Sequence, residues 1–127
     1  MSIPQIETQS FEEVKEHQER KLTKLLRYVE NNSKHYKRVF RENGIDVSQI
    51  ESLEDLKKLP TTSKDDLQNN NDDFICVDRS EIIDYITTSG TLGDPVIFAM
   101  TNNDLDRLAY NEEVSFACAN TTKDDVY

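Results

Sequence analysis

The sequence predicts an α+β arrangement over its 127 residues, with helices first and a few strands late. Three observations predict it. Apolar residues recur at helical spacing near the start, behind hydroxyl residues that suit helix N-termini. Runs rich in β-branched residues gather only after residue 73. Those runs are too few and too apolar to close a sheet by themselves, so the sequence predicts that further chain supplies their covering layer. The boundary divides the chain into a helical segment, 1–73, and a strand–loop–strand–helix segment, 74–127.

Taken in order, residues 1–9 read as an extended lead-in. Ser10 and Glu13 form the S-x-x-E capping pattern of a first helix. Phe11, Val14, Leu22, Leu25, Leu26 and Val29 supply its apolar stripe, which is weak between Lys15 and Lys21 and predicts loose packing there. Asn31 and Asn32 break it. Ser33 suits the N-cap of a second, shorter helix carrying Tyr36, Val39 and Phe40, and Gly44 suits its left-handed C-terminal position. Ser52 with Asp55 opens a third short helix, stopped by Pro60. Residues 62–66 repeat the capping pattern for another short turn. The polar run 69–73 reads as a loop that does not pack. Residues 74–77, 82–88 and 96–101 are the three strand candidates. Asn103 reads as the cap of a closing helix with Leu105, Leu108, Ala109 and Phe116.

Charge and composition exclude several classes of function. The formal net charge is −10, which disfavours a nucleic-acid groove and an anionic membrane surface. Cys76 and Cys118 are far apart and share no metal-ligand spacing with His17 or His35, so both read as buried free thiols and no metal site is expected. The N-terminus has no basic region followed by an apolar one, and no run approaches membrane-spanning length. The expected location is the cytoplasm. Tyr28, Tyr36 and Tyr85 read as core-edge residues. Glu12, Glu13, Glu16, Lys15, Arg20 and Lys21 read as a solvated helix face. Lys64, Asp65 and Asp66 read as helix-start chemistry.

The stretch 87–95 is the most informative. It places four hydroxyls, two glycines and a proline in nine residues between two strand candidates. Glycines let successive N–H groups converge on one point as an anion nest, and Ser or Thr hydroxyls add donors for phosphate oxygens. The same residue types also build ordinary hairpin turns, and chemistry alone leaves both readings open. The spacing of a Walker A loop is absent, and a strand follows where that motif needs a helix.

The order of residues carries further information. Thr88, Ser89, Gly90, Thr91, Leu92, Gly93, Asp94 and Pro95 resemble the phosphate-binding loop of adenylate-forming enzymes, usually S/T-S-G-T-T-G-x-P. The flanks resemble the phenylacetate–CoA ligase branch. They include Tyr28, Val29, Ser33, Tyr36 and Phe40, then the turn Gly44, Ile45, Asp46. Leu53, Glu54, Asp55, Leu56, Leu59, Pro60, Thr62, Lys64, Asp66 and Leu67 follow, and Thr101, Asp104 and Leu105 match a strand-to-helix junction. The resemblance runs from about residue 25 to residue 127. Two positions depart from the pattern: Leu92 replaces a threonine and Asp94 replaces a common lysine. The charge reversal would weaken ATP binding by about 1–2 kcal/mol.

The resemblance implies an α/β fold in which these helices and strands are the N-terminal portion of a larger mixed sheet. It implies an AMP-forming aryl- or acyl-CoA ligase. A phenylacetate-like carboxylic acid is activated with ATP to an acyl-adenylate, then passed to coenzyme A, with Mg2+ sharing the phosphate charge. Thr88, Ser89, Gly90, Thr91 and Gly93 are the implied phosphate-binding residues, and no catalytic residue or metal ligand falls within the segment. The implied partners are the acid, ATP, coenzyme A and the remainder of the polypeptide, with no nucleic acid, no membrane and a homodimer left open. Activity is expected of the full-length protein and not of these residues alone. The alternatives are a stand-alone, non-catalytic nucleotide- or protein-binding module, and a relative of acyl-protein synthetases.

Overall fold

The computed structural model describes residues 5–89, 95–122, 124 and 125. After a 3-10 turn at Gln5–Thr8, helix α1 spans Phe11–Asn32. The expected capping box opens it: the Glu13 carboxylate accepts from the Ser10 N–H at 2.9 Å, and the Glu13 N–H donates to the Ser10 hydroxyl at 3.2 Å. These bonds hold the Glu13 carboxyl below its ordinary pKa. Asn31 and Asn32 belong to the last turn of α1, and the break falls just after them, at Ser33. Their side-chain amides donate to the carbonyls of Arg27 and Tyr28, both at 2.8 Å.

Ser33 is the hinge between two helices. Its N–H donates to the Val29 carbonyl at 2.9 Å and ends α1. Its hydroxyl accepts from the Tyr36 N–H at 3.3 Å and starts α2, Lys34–Glu42. Helix α2 closes in a Schellman motif. The Ile45 N–H reaches the Phe40 carbonyl, the Gly44 N–H reaches the Arg41 carbonyl, and Gly44 takes φ +62°.

Leu22, Leu26 and Val29, spaced i, i+4 and i+7, bring one stripe of α1 against α2. The core is Leu26, Phe40, Val47 and Ile50, ringed by Leu22, Val29, Tyr36, Val39, Ile45 and Leu59. Burying each large side chain contributes about 1.5–3 kcal/mol. Phe11 is exposed, in keeping with the weak first half of the pattern, and Leu25 is exposed as well, which corrects its expected place in the apolar stripe. The Glu19 carboxylate accepts from the Leu53 N–H at 3.2 Å and ties α1 to the next turn. That element, Leu53–Lys58, is a 3-10 helix.

Helix α3, Lys64–Asn69, begins at the Ser63–Asp66 capping box. The polar run that follows packs, contrary to the loop expected from its composition. Residues Asn71–Phe74 form a 3-10 turn held by three partners. The Ser33 hydroxyl donates to the Asp73 carbonyl at 2.9 Å, Arg38 pairs with the Asp73 carboxylate at 3.2 Å, and the Asn71 amide donates to the Ile97 carbonyl at 2.8 Å. Composition alone cannot anticipate these long-range partners.

Two strands follow, β1 (Asp84–Thr87) and β2 (Ile97–Met100), paired antiparallel with Tyr85 opposite Ala99 and Ile86 opposite Phe98. The third candidate, 74–77, is not a strand among the described residues. The Phe74 ring stacks on His35 at 4.0 Å, and the Cys76 carbonyl accepts from the Tyr28 hydroxyl at 3.4 Å. These contacts hold the segment against helices α1 and α2. Helix α4, Asn102–Cys118, is capped by Thr101, two residues before the expected Asn103, because Thr101 and Asp104 complete the capping box. Cys76 is half-buried, but Cys118 is exposed, which corrects the expectation of two buried thiols. Among the described residues, no helix is long and apolar enough to cross a membrane.

Helices thus precede a small antiparallel sheet and a further helix, as expected for an N-terminal portion of the adenylate-forming fold.

Candidate functional site

The β1–β2 hairpin carries the hydroxyl- and glycine-rich segment at its tip. Its neck is defined by Thr88 and Val96. The Thr88 N–H donates to the Val96 carbonyl at 3.0 Å. The Val96 N–H donates to the Thr88 side-chain hydroxyl oxygen, also at 3.0 Å. In a regular antiparallel pair of this kind the two residues exchange backbone bonds in both directions. Here a side-chain oxygen takes the place of one carbonyl. Val96 is 3% exposed, so leaving its N–H without a partner would cost about 1–3 kcal/mol.

This bond also settles what the Thr88 hydroxyl has left to offer. A hydroxyl carries one proton and two lone pairs. One lone pair is taken by Val96, and among the described residues the proton has no acceptor. Ser89 follows at the mouth of the loop and is exposed. Pro95, on the returning side, is exposed as well and fixes the backbone immediately before Val96. Gly90, Thr91 and Gly93, the other expected phosphate contacts, lie outside the described residues, as do Leu92 and Asp94. The structure therefore places two of the five expected site residues side by side at the loop neck.

A separate groove of ≈ 320 Å³ runs under β2, lined by Tyr28, Phe74, Ile75, Cys76, Phe98 and Asp104 among others. Thr88 and Ser89, the expected site residues among the described ones, do not line it. Its walls are mainly apolar, and burial raises both the Tyr28 hydroxyl and the Cys76 thiol above their ordinary pKa values. Both groups therefore stay protonated at neutral pH. Among the described residues, no group of three or more His, Cys, Asp or Glu side chains is arranged to hold a metal ion.

Two contributors to the geometry of the hairpin escaped the sequence reading. Val96 presents its N–H to Thr88, and Asn71 holds the outer edge of β2 through Ile97. The first had a weak signal, a threonine at the end of one strand run and a β-branched residue at the start of the next. The second had none.

No family model matches the chain. Curated relatives do. The chain is 35% identical over 106 residues to the phenylacetate-coenzyme A ligase of Thermus thermophilus, a match covering 83% of this chain and 24% of that protein. It is 33% identical over 105 residues to the phenylacetate-coenzyme A ligase of Escherichia coli, covering 82% and 24%. Among solved structures, it is similar to 2-hydroxyisobutyryl-CoA ligase in complex with 2-HIB-AMP and CoA in the thioesterification state. The TM-score is 0.77 and the identity 30%, covering 85% of this chain and 24% of that one. The chain thus spans about a quarter of the length of the curated relatives it matches. Sequence and fold agree that this chain is homologous to the N-terminal part of the phenylacetate–coenzyme A ligase family, within the adenylate-forming superfamily.

Proposed function

We propose that residues 88–95 are the phosphate-holding loop of an AMP-forming aryl- or acyl-CoA ligase, and that this chain contributes the loop and the helical layer behind it. The observation that carries the reading is the Thr88–Val96 neck, which sets a segment of hydroxyls and glycines on a paired hairpin in a chain homologous to such ligases. In this reading residues 1–73 are the helical N-terminal segment and 74–127 an incomplete part of the AMP-binding domain.

The substrates are ATP, with Mg2+ sharing its charge, a carboxylic acid of the phenylacetate type, and coenzyme A as acceptor. The whole enzyme makes an acyl-adenylate and then a thioester in the cytoplasm. The residues here bind and orient. Thr88 and Ser89 offer hydroxyl protons at the loop mouth, and Gly90, Thr91 and Gly93 are assigned backbone or hydroxyl donors from their place in the motif. Donors fixed in advance stabilise charge as it develops on the departing phosphates. No residue of this chain is assigned a proton-transfer role.

The test is acid-dependent exchange between ATP and pyrophosphate, with phenylacetate and related acids. It is run on this chain and on any longer polypeptide that carries it, each identified by intact mass. The expected result is ATP or pyrophosphate binding by this chain, with exchange confined to a longer one. Thioester formation with coenzyme A, set against a protein thiol, distinguishes the acceptor. Absence of phosphate binding in every form would overturn the reading.

A further inference from the structure

We infer that Thr88 is a positioning residue: its side-chain oxygen holds the loop neck closed, and this role is separate from any donation to phosphate. The inference rests on the phosphate-loop reading above and assigns one residue of that loop a second role.

The argument begins with the ladder. Positions 88 and 96 continue the register that pairs Ile86 with Phe98, two residues further along each strand. A backbone-only pair would join the Val96 N–H to the Thr88 carbonyl. Instead the Val96 N–H meets the Thr88 hydroxyl at 3.0 Å while the reverse bond, Thr88 N–H to Val96 carbonyl, is kept at 3.0 Å. With the hydroxyl standing in as acceptor, the backbone of residue 88 need not hold its carbonyl toward the partner strand. The chain can then leave the ladder at Thr88 and turn toward Ser89 while the hairpin stays closed.

Val96 is the fixed side of this clamp. Its side chain is buried, and Pro95 before it restricts the approach of the backbone. Thr88 is the exposed side. The clamp therefore ties the first exposed residue of the loop to a buried anchor. Serine retains the acceptor. Valine has nearly the shape of threonine and lacks it. A residue serving only as a phosphate donor would leave the Val96 amide indifferent to this choice.

The experiment is amide hydrogen exchange at Val96 in this chain, with Thr88→Val and Thr88→Ser as variants. Isothermal titration with inorganic pyrophosphate runs in parallel. Thr88→Val is expected to raise Val96 exchange by about tenfold or more, with the amides of Ile86 and Phe98 much less affected. Thr88→Ser is expected to stay within about threefold of the parent, and to retain pyrophosphate binding that Thr88→Val weakens. Unchanged Val96 exchange in Thr88→Val overturns the inference, whatever the titration gives. If Thr88→Val unfolds the whole hairpin, Thr88→Ser decides: retained protection supports the hydroxyl clamp, and lost protection overturns it. Failure of the parent chain and of every longer form to bind pyrophosphate overturns the phosphate-loop reading, while Val96 exchange still reports on the clamp.

Discussion

The Ser33 hydroxyl donates to the Asp73 carbonyl at 2.9 Å across forty positions of sequence, while the same oxygen accepts from the Tyr36 N–H. One side chain therefore caps α2 and anchors the 71–74 turn on which the segment leading to the hairpin begins. Ser33 is 1% exposed. Ser33→Ala removes the cap and leaves the half-buried Asp73 carbonyl without that donor. The expected loss of stability is about 2–3 kcal/mol, read as a shift in the urea midpoint at unchanged slope. Ser33→Thr should recover most of it. A loss no larger than that of an ordinary surface substitution would show that water replaces the bond.

His35 supplies a pH dependence. It is buried, stacked on Phe74, and its Nδ1 lies 3.3 Å from an Arg38 guanidinium nitrogen. Burial first and Arg38 second lower its pKa, against weaker opposition from Asp66 on α3 and Asp73 in the turn. The folded pKa thus lies below the unfolded one. The neutral ring's contribution is full above the unfolded value of about 6.5 and is lost as pH falls through that value toward the folded pKa. Urea unfolding at pH 7.5 and 5.5 should therefore show a weaker protein at the lower pH, and His35→Gln should flatten the difference. An equal difference in that variant would place its origin elsewhere.

Gly44 isolates a conformational effect. It sits at φ +62°, and an added Cβ would meet nothing within 4 Å. Gly44→Ala should therefore destabilise by about 1 kcal/mol through backbone strain alone. Gly44→Asn should cost less, because asparagine tolerates the left-handed region. Thermal melts of the three proteins would rank them, and alanine ranking above glycine would contradict the assignment of the Schellman motif.

Charge at the loop gives a prediction about ligand. Asp94 stands where related loops commonly carry lysine. Reversing that charge beside a polyphosphate should tighten ATP binding by about 5- to 30-fold at low salt, less as ionic strength rises. Titration of Asp94→Lys against the parent measures it. Equal or weaker affinity would mean that residue 94 does not face the phosphates.

What the sequence made legible was local. Ser10, Ser33, Ser63 and Gly44 each act on backbone groups within a few positions, so their patterns could be read directly. The near miss at α4 is of the same kind: Asn103 and Thr101 both suit a cap, and Asp104 selects the residue three before it. Errors arose where partners were distant. Residues 74–77 have strand-like composition, yet His35 and Tyr28 hold them beside the helices. Residues 69–73 have loop composition, yet Ser33, Arg38 and the β2 backbone fix them. At the candidate site, motif order pointed to the loop, but the Thr88–Val96 bond depends on strand pairing that no local pattern specifies.

The hairpin has a further consequence for the protein in concentrated solution. Tyr85 and Ile97 are exposed on one face, Ile86 and Phe98 on the other. A short sheet that is greasy on both sides, with strand edges only partly blocked, is a template onto which another copy can add. Each copy also carries a formal charge of −10, so copies repel when ions are scarce. That repulsion fades as the screening length shrinks to about 8 Å near physiological salt. Colloidal behaviour should thus reverse the usual laboratory habit: dilute buffer protects this chain, and added salt exposes the adhesiveness of its hairpin.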